Sequence, residues 1–180
     1  MSFIRTKKIK RAEYAYIVEN KWRKRRKNKV KQKSKKYLGR VYRFDRVSVV
    51  DFFEFYNIED INKYLDEKSR YDILLDLIKL ELHNHGFEGK NKLLQKQECF
   101  FNLKEKKVYN QKGNSIALAF NEGFLTNYAI KKILKFEAFE EEDGYELAKI
   151  FVEAGINIPQ EIFVGYFKKT LNKSSFEDAV

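Results

Sequence analysis

The sequence contains little cysteine and no long apolar run, and each of these absences excludes a class of protein. Its one cysteine, Cys99, excludes an intramolecular disulfide framework and a zinc site of clustered cysteines. No apolar run approaches the ~20 residues of a membrane-spanning helix, and no apolar segment of a secretory signal follows the charged N-terminus. The motifs of phosphate-binding loops, hydrolase nucleophile turns and zinc proteases are also missing. We therefore expect a cytoplasmic protein without a membrane segment, a cofactor, a metal or catalytic residues.

Acidic residues are scarce at the N-terminus, where the positive charge is concentrated. Residues 1–46 contain 19 of the 37 Lys and Arg residues and three of the 26 acidic ones, which gives them a formal charge of +16 and leaves −5 for residues 47–180. A basic segment beside a mildly acidic one indicates a polyanionic partner, most often nucleic acid. We divide the chain accordingly into a basic module, 1–46, and a body, 47–180.

The basic module has the alternating pattern of a β-ribbon. We predict strands over 3–9, 13–23 and 30–44, with a basic turn over 24–29. In the second strand, one face carries Tyr14, Tyr16, Val18 and Trp22, and we expect that face to belong to the core. Gly39 interrupts the third strand and predicts a bulge or bend.

Lysines occupy every second position at the start of the third strand. Alternate strand positions lie ~6.6 Å apart on one face, close to the spacing of phosphates along a nucleic-acid strand. The predicted phosphate contacts are Arg23, Arg25, Arg26, Lys29, Lys31, Lys33 and Lys35. Trp22 and Tyr37 are secondary candidates for stacking on unpaired bases.

The body is predicted to be mostly helical, with a small β-sheet. Ser69 and Asp72 have the spacing of a capping box at the start of a helix that Gly86 ends. Further helices are predicted over 125–136, 145–154 and 159–171, the last two forming an αα-hairpin, and short strands over 98–103, 108–109 and 115–120. The predicted class is therefore α+β, with an N-terminal antiparallel ribbon.

Part of the ribbon resembles a known family. Tyr14-Ala-Tyr-Ile-Val-Glu19, Lys31-Gln-Lys33 and Lys36-Tyr-Leu-Gly-Arg40 resemble the N-terminal segment of DDE-type insertion-sequence transposases, over residues 3–40. The resemblance implies a β-ribbon module that engages DNA. This chain departs from the family in two ways. Its turn is rich in Lys and Arg, where the family's turn usually contains Gly, and the chain is too short for the RNase H-like catalytic domain that follows in those enzymes. The chain as a whole resembles archaeal proteins in its basic ribbon and the overall character of its sequence.

We therefore expect a nucleic-acid-binding protein without catalysis of its own, its partner being DNA or structured RNA, with DNA slightly favoured. Two alternatives remain open. One is a metal-dependent enzyme acting on nucleic acid, which would use acids of the body with His83 or His85. The other is an interaction module in which the acidic body recruits a protein partner and the basic module serves as a tether.

Overall fold

The computed structural model describes residues 2–22, 30–89 and 92–171. Its eight strands are β1 (Ser2–Ile9), β2 (Ala12–Trp22), β3 (Val30–Arg43), β4 (Leu93–Lys96), β5 (Cys99–Asn102), β6 (Lys107–Asn110), β7 (Ile116–Phe120) and β8 (Gly123–Thr126). Its six helices are α1 (Phe52–Tyr56), α2 (Ile61–Glu67), α3 (Arg70–Asn84), α4 (Asn127–Leu134), α5 (Asp143–Ala154) and α6 (Gln160–Lys168). These elements confirm the predicted α+β class with an N-terminal antiparallel ribbon.

The ribbon belongs to the same sheet as part of the body. Five strands lie in the order β1-β2-β3-β7-β8, and β4, β5 and β6 form a separate small sheet. The β1–β2, β2–β3 and β7–β8 pairs are antiparallel, whereas β3 and β7 are parallel, from Arg40 opposite Ile116 to Arg43 opposite Ala119. The division at residue 46 stays a prediction, and the larger sheet crosses it.

Two bulges change the register between β2 and β3. Ile17 lies opposite Lys36 and Val18 opposite Ser34, so Lys35 is an extra residue on β3; Leu38 is a second extra residue, next to Gly39. Gly39 has φ of +134°, and a Cβ there would lie 2.3 Å from the carbonyl oxygen of Ser115, the residue that precedes β7. The prediction of a bulge at Gly39 is confirmed, and the close approach to β7 explains why the residue is glycine.

The large sheet separates two apolar clusters. The smaller cluster lies on one face, which we call the inner face, and contains Ala15, Ile17, Leu38, Val41, Ala117 and Ala119, with Phe124 and Tyr128 packed against it. The larger cluster includes Ile116 and Leu118 on the opposite face, together with α3, the small sheet and the C-terminal helices. Strand β7 is consequently buried on both faces.

The prediction that Tyr14 and Tyr16 lie in the core is wrong. Ala15 and Ile17 are the buried residues of that stretch, 0% and 6% exposed, while both tyrosines are half-buried on the opposite face. The apolar cover of the inner face comes from Tyr128, on helix α4, and from Phe124, whose side chain projects to that face from the edge strand β8. Val18 is nevertheless buried, at 6% exposure. The side chain of Trp22 lies outside the described residues.

The body confirms the predicted helices, with several ends moved: α5 begins at Asp143 rather than Tyr145, and α6 ends at Lys168 rather than Leu171. Helix α3 begins after Ser69 with the capping box that the sequence predicts, reciprocated by Asp72. The helix predicted from Leu125 starts two residues later, because Leu125 pairs with Leu118 in β8 and Thr126 caps α4 by accepting a hydrogen bond from the Ala129 amide. Helices α5 and α6 form the predicted αα-hairpin. No helix among the described residues is long and apolar enough to cross a membrane.

Candidate nucleic-acid interface

The face of the ribbon opposite the inner face carries three tyrosines among basic residues. Residues directly opposite one another in antiparallel strands project to the same side of the sheet. The pairings therefore place Lys7, Tyr14 and Arg40 in one row across β1, β2 and β3, and Arg5, Tyr16 and Tyr37 in the next. We call these six residues the tyrosine face. Neighbouring strands lie ~4.8 Å apart, so each row spans roughly 10 Å.

The tyrosine rings touch one another. The Tyr37 ring centroid lies 5.4 Å from that of Tyr16 and 6.2 Å from that of Tyr14, both in tilted arrangements. Tyr37 is the most open of the three, with 54% of its surface exposed. Partial burial, with the neighbouring Tyr14 and Tyr16 phenols, raises the pKa of Tyr37, so its ring stays neutral at physiological pH.

A groove separates the tyrosine face from the small sheet. It has a volume of about 680 Å³; Tyr14, Tyr37 and Arg40 line one side, and Asn110 and Lys112, at the end of β6, line the other. The small sheet is held there because Tyr109 forms a β-bridge with Ser115 beside β7.

Arg40 is positioned between these two walls. Its guanidinium lies 5.0 Å from the centre of the Tyr42 ring and 3.9 Å from the Glu98 carboxylate, while half of its side chain remains exposed. Tyr42 lines the same groove beside Asn110 and Glu98. A stacked, partly exposed guanidinium can bind an anion without losing its packing.

A second groove lies on the other side of the tyrosines, towards the edge strand β1. It has a volume of about 440 Å³ and is lined by Arg5, Thr6, Lys7, Tyr16, Val18 and Ser34. The two grooves meet the same three rings, because Tyr16 lines this one and contacts Tyr37, which lines the other. Among the described residues that line either groove, Glu98 is the single carboxylate.

A larger groove, of about 820 Å³, lies between α2 and α6, and its chemistry is different. Two acidic and two basic residues line it, Asp66, Glu161, Lys168 and Lys169, and no aromatic ring does. Size alone would favour this groove, but its charges cancel and it offers no flat surface. The tyrosine face is therefore the better candidate for binding a polyanion.

The predicted lysine row is only partly regular. Lys33, Lys35 and Lys36 are all exposed on β3. Lys33 lies opposite Glu19, Lys35 is the bulged residue and forms a 3.0 Å ion pair with Glu19, and Lys36 has its ammonium 5.6 Å from the Tyr128 ring centre on the inner side. The assumption of strict alternation through Lys35 is wrong because the bulge inserts a residue there.

Of the remaining predicted contacts, the structure describes the backbone of Trp22 and Lys31. Trp22 pairs with Val30 and Lys31 with Lys21 through the backbone. Arg23, Arg25, Arg26 and Lys29 lie outside the described residues. Their predicted role as phosphate contacts, with that of Lys31, Lys33 and Lys35, stays a prediction, as does stacking by Trp22 and Tyr37.

Sequence reasoning missed Arg5, Lys7 and Arg40 as members of the site. For Arg5 and Lys7 the signal was present, because they lie two positions apart in one strand, as Tyr14 and Tyr16 do. Arg40 lies three positions from Tyr37 and shares its face only because the bulge inserts Leu38. Choosing between the two faces of the ribbon required knowing which one the body covers, and only the tertiary structure supplies that.

Two buried carboxylates in α3 are already engaged inside the body. Asp76 accepts hydrogen bonds from Tyr64, Lys68 and Lys79 at 3.0–3.2 Å. Glu81 accepts from Arg46 at 2.8 Å and from Asn121 at 2.6 Å. Both groups tie α3 to neighbouring segments.

The histidines and the cysteine also have structural contacts. His85 is buried, stacks on Phe120 with ring centroids 4.2 Å apart, and has its Nδ1 2.8 Å from the Glu81 carbonyl oxygen. His83 is exposed and packs beside Phe55. Cys99 is a free, buried thiol. In the described ranges, no group of three or more His, Cys, Asp or Glu side chains is arranged to hold a metal ion.

Comparisons with family profiles, curated proteins and solved structures found no match to this chain. The resemblance of residues 3–40 to transposase ribbons accordingly stays a prediction. The candidate site is therefore argued from its own geometry and charge.

Proposed function

We propose that this protein binds nucleic acid in the cytoplasm through its basic β-ribbon, without catalysing a reaction. The observation that carries the proposal is the tyrosine face, which combines exposed rings with Arg and Lys side chains on a part of the sheet that the body leaves open. Basic groups supply affinity for phosphates, and aromatic rings supply surface for bases.

The distribution of charge supports the same conclusion. The formal charge of +16 belongs to residues 1–46, and the part of this segment that enters the body's sheet begins at Arg40. Exposed ion pairs such as Lys35–Glu19 are weak and can be exchanged for contacts with phosphates at little cost. A ribbon that neutralises about four to seven phosphates would give a slope of log K against log[salt] of roughly −3 to −6.

Binding should be tested on the full chain, because removing residues 1–46 would also remove the partner of β7. The test variant is Lys7→Gln with Arg40→Gln, on the tyrosine face. The matched control is Lys104→Gln with Lys107→Gln, in and beside the turn between β5 and β6. Each pair removes two exposed positive charges and one ion pair between partly exposed side chains, Arg40–Glu98 or Lys107–Glu105.

The probes are a mixed-sequence duplex and its separated strand, titrated at several salt concentrations by fluorescence anisotropy. DNA is measured first and RNA of the same sequence second. If Lys7 and Arg40 both contact phosphates, the test variant lowers the magnitude of the salt slope by about 1.4–1.8, and the control changes it little. Equal losses in the two variants, or affinity of the native chain that does not depend on salt, would refute binding through the ribbon.

A further inference from the structure

We infer that the tyrosine face and its two grooves form a track for single-stranded nucleic acid, in which unpaired bases stack on Tyr37 and its neighbours. The inference depends on the proposed function and deepens it, because it names the form of nucleic acid and adds Arg5, Lys7, Tyr14, Tyr16 and Arg40 to the site.

The layout of the track matches a linear ligand. Its groups run from the edge of the sheet to the small sheet in the order basic, aromatic, basic: Arg5 and Lys7 on β1, the three rings in the middle, and Arg40 with Lys112 at the far side. A single strand that crosses the rings in this direction would stack a base on them and place a phosphate on either side of that base. Each of these phosphates would meet positive charge.

The size and chemistry of the grooves match a nucleotide. Volumes of about 440 and 680 Å³ are in the range of sites that hold small organic molecules. The Asn110 and Asn114 side chains lie on the wall of the 680 Å³ groove, where amides can hydrogen-bond to base edges. The neutral phenol of Tyr37 presents a flat π-surface that every base can stack on.

A duplex fits the same surface less well. Its bases are paired and stacked on one another, so a side chain reaches only their edges from a groove. Tyr37 instead projects as one of a cluster of rings set between two walls, which can accept the face of a base only when that base is unpaired. The rings would then add affinity for a single strand and none for a duplex, whereas the lysines would serve both.

Replacing Tyr37 separates stacking from charge. Tyr37→Ala should weaken binding of single-stranded DNA or RNA by roughly 5- to 150-fold, the range observed for loss of one base–aromatic stack, with duplex affinity unchanged. Tyr37→Phe keeps the ring and should retain single-strand affinity. The matched control is Tyr145→Ala on α5, where the ring is 85% exposed and lies on another part of the molecule, and it should have no effect.

A direct readout does not depend on any substitution. Single strands of DNA and of RNA carrying 5-iodouracil are irradiated in complex with the native chain, and the adduct is mapped by mass spectrometry. The expected adduct is on Tyr37, Tyr14 or Tyr16. Comparing the two strands in the same experiment shows whether DNA or RNA is the better ligand.

The outcomes distinguish the inference from the proposed function. If Tyr37→Ala leaves single-strand affinity unchanged while Lys7→Gln with Arg40→Gln lowers it, the ribbon binds nucleic acid and the stacking track is refuted. Equal losses of single-strand and duplex affinity in Tyr37→Ala would also refute it. If neither variant differs from its control, the proposed function fails as well. Circular dichroism melting of each variant checks that the fold is retained.

Discussion

Removing Arg46 should destabilise the fold more than removing its partner, Glu81. Arg46 follows β3, and its guanidinium donates to the two Glu81 oxygens at 2.8 and 3.2 Å. The two side chains differ in burial, since Glu81 is 2% exposed and Arg46 is 31% exposed. Losing Arg46 leaves a carboxylate inside the protein, whereas losing the charge of Glu81 leaves a guanidinium that can reach water.

The difference in burial between Arg46 and Glu81 sets the expected loss of unfolding free energy for each substitution. Breaking a fully buried pair by removing one partner costs about 3–5 kcal/mol. Because Arg46 is partly exposed and Asn121 still donates to Glu81, we expect Arg46→Met to lower the free energy of unfolding by about 2–4 kcal/mol. Glu81→Gln should cost about 1–2 kcal/mol, in the range for loss of one charged hydrogen bond. For a chain of this size, the larger loss lowers Tm by roughly 5–15 °C.

A double-mutant cycle makes the measurement decisive. Urea unfolding is followed by circular dichroism for the native chain, both single variants and the double variant. The double variant should cost less than the two singles together, by about 1 kcal/mol or more, because the second substitution removes the charge that the first one strands. A smaller cost for Arg46→Met than for Glu81→Gln, or strict additivity, would refute the reasoning. Nucleic-acid affinity well below Tm should not change, since Arg46 lies outside the tyrosine face.

Two further substitutions and one chemical modification test the packing. Gly39→Ala places a Cβ 2.3 Å from the Ser115 carbonyl oxygen at a φ of +134°, so it should cost at least about 2 kcal/mol in urea unfolding. Gly113→Ala, at a φ of +76° with open space around it, should cost only about 1 kcal/mol from backbone strain, and equal costs would contradict the close β3–β7 approach. Cys99 is fully buried and desolvation raises its pKa to about 12, so iodoacetamide at pH 8 should alkylate it only after unfolding; an adduct on the folded chain, seen by intact mass, would contradict this burial.

Local chemistry explains which elements could be predicted. Helix α3 was predicted with its cap because Ser69 and Asp72 satisfy backbone groups of their own first turn, a contact that needs no other part of the chain. The ribbon strands were predicted because alternation has a period of two in any strand. Gly39 was recognised because a residue without Cβ signals a special backbone conformation.

What could not be predicted depends on contacts between distant segments. Alternation divides β2 into a Tyr14–Tyr16 face and an Ala15–Ile17 face, but it does not say which of them α4 will cover. The bulge at Lys35 has no signal of its own in the sequence, and one inserted residue is enough to break a row of alternating lysines. Strand β8 was missed because Leu125 has the same apolar character whether it lies in a strand or a helix.

The orientation of the tyrosines follows from the small residues behind them. Ala15, Gly39, Ala117 and Ala119 fill adjacent positions around the inner face, and their short side chains let Phe124 and Tyr128 pack closely against the sheet. Large rings on that side would hold α4 away from the sheet, so the bulky residues of β2 are left to the other side. On that other side, the larger apolar cluster covers β7. The ribbon strands extend beyond the edge of this cluster. The same packing that joins the ribbon to the body therefore leaves Tyr14, Tyr16 and Tyr37 facing solvent on a braced sheet, and a ring held in place in this way loses little conformational entropy when a base stacks on it.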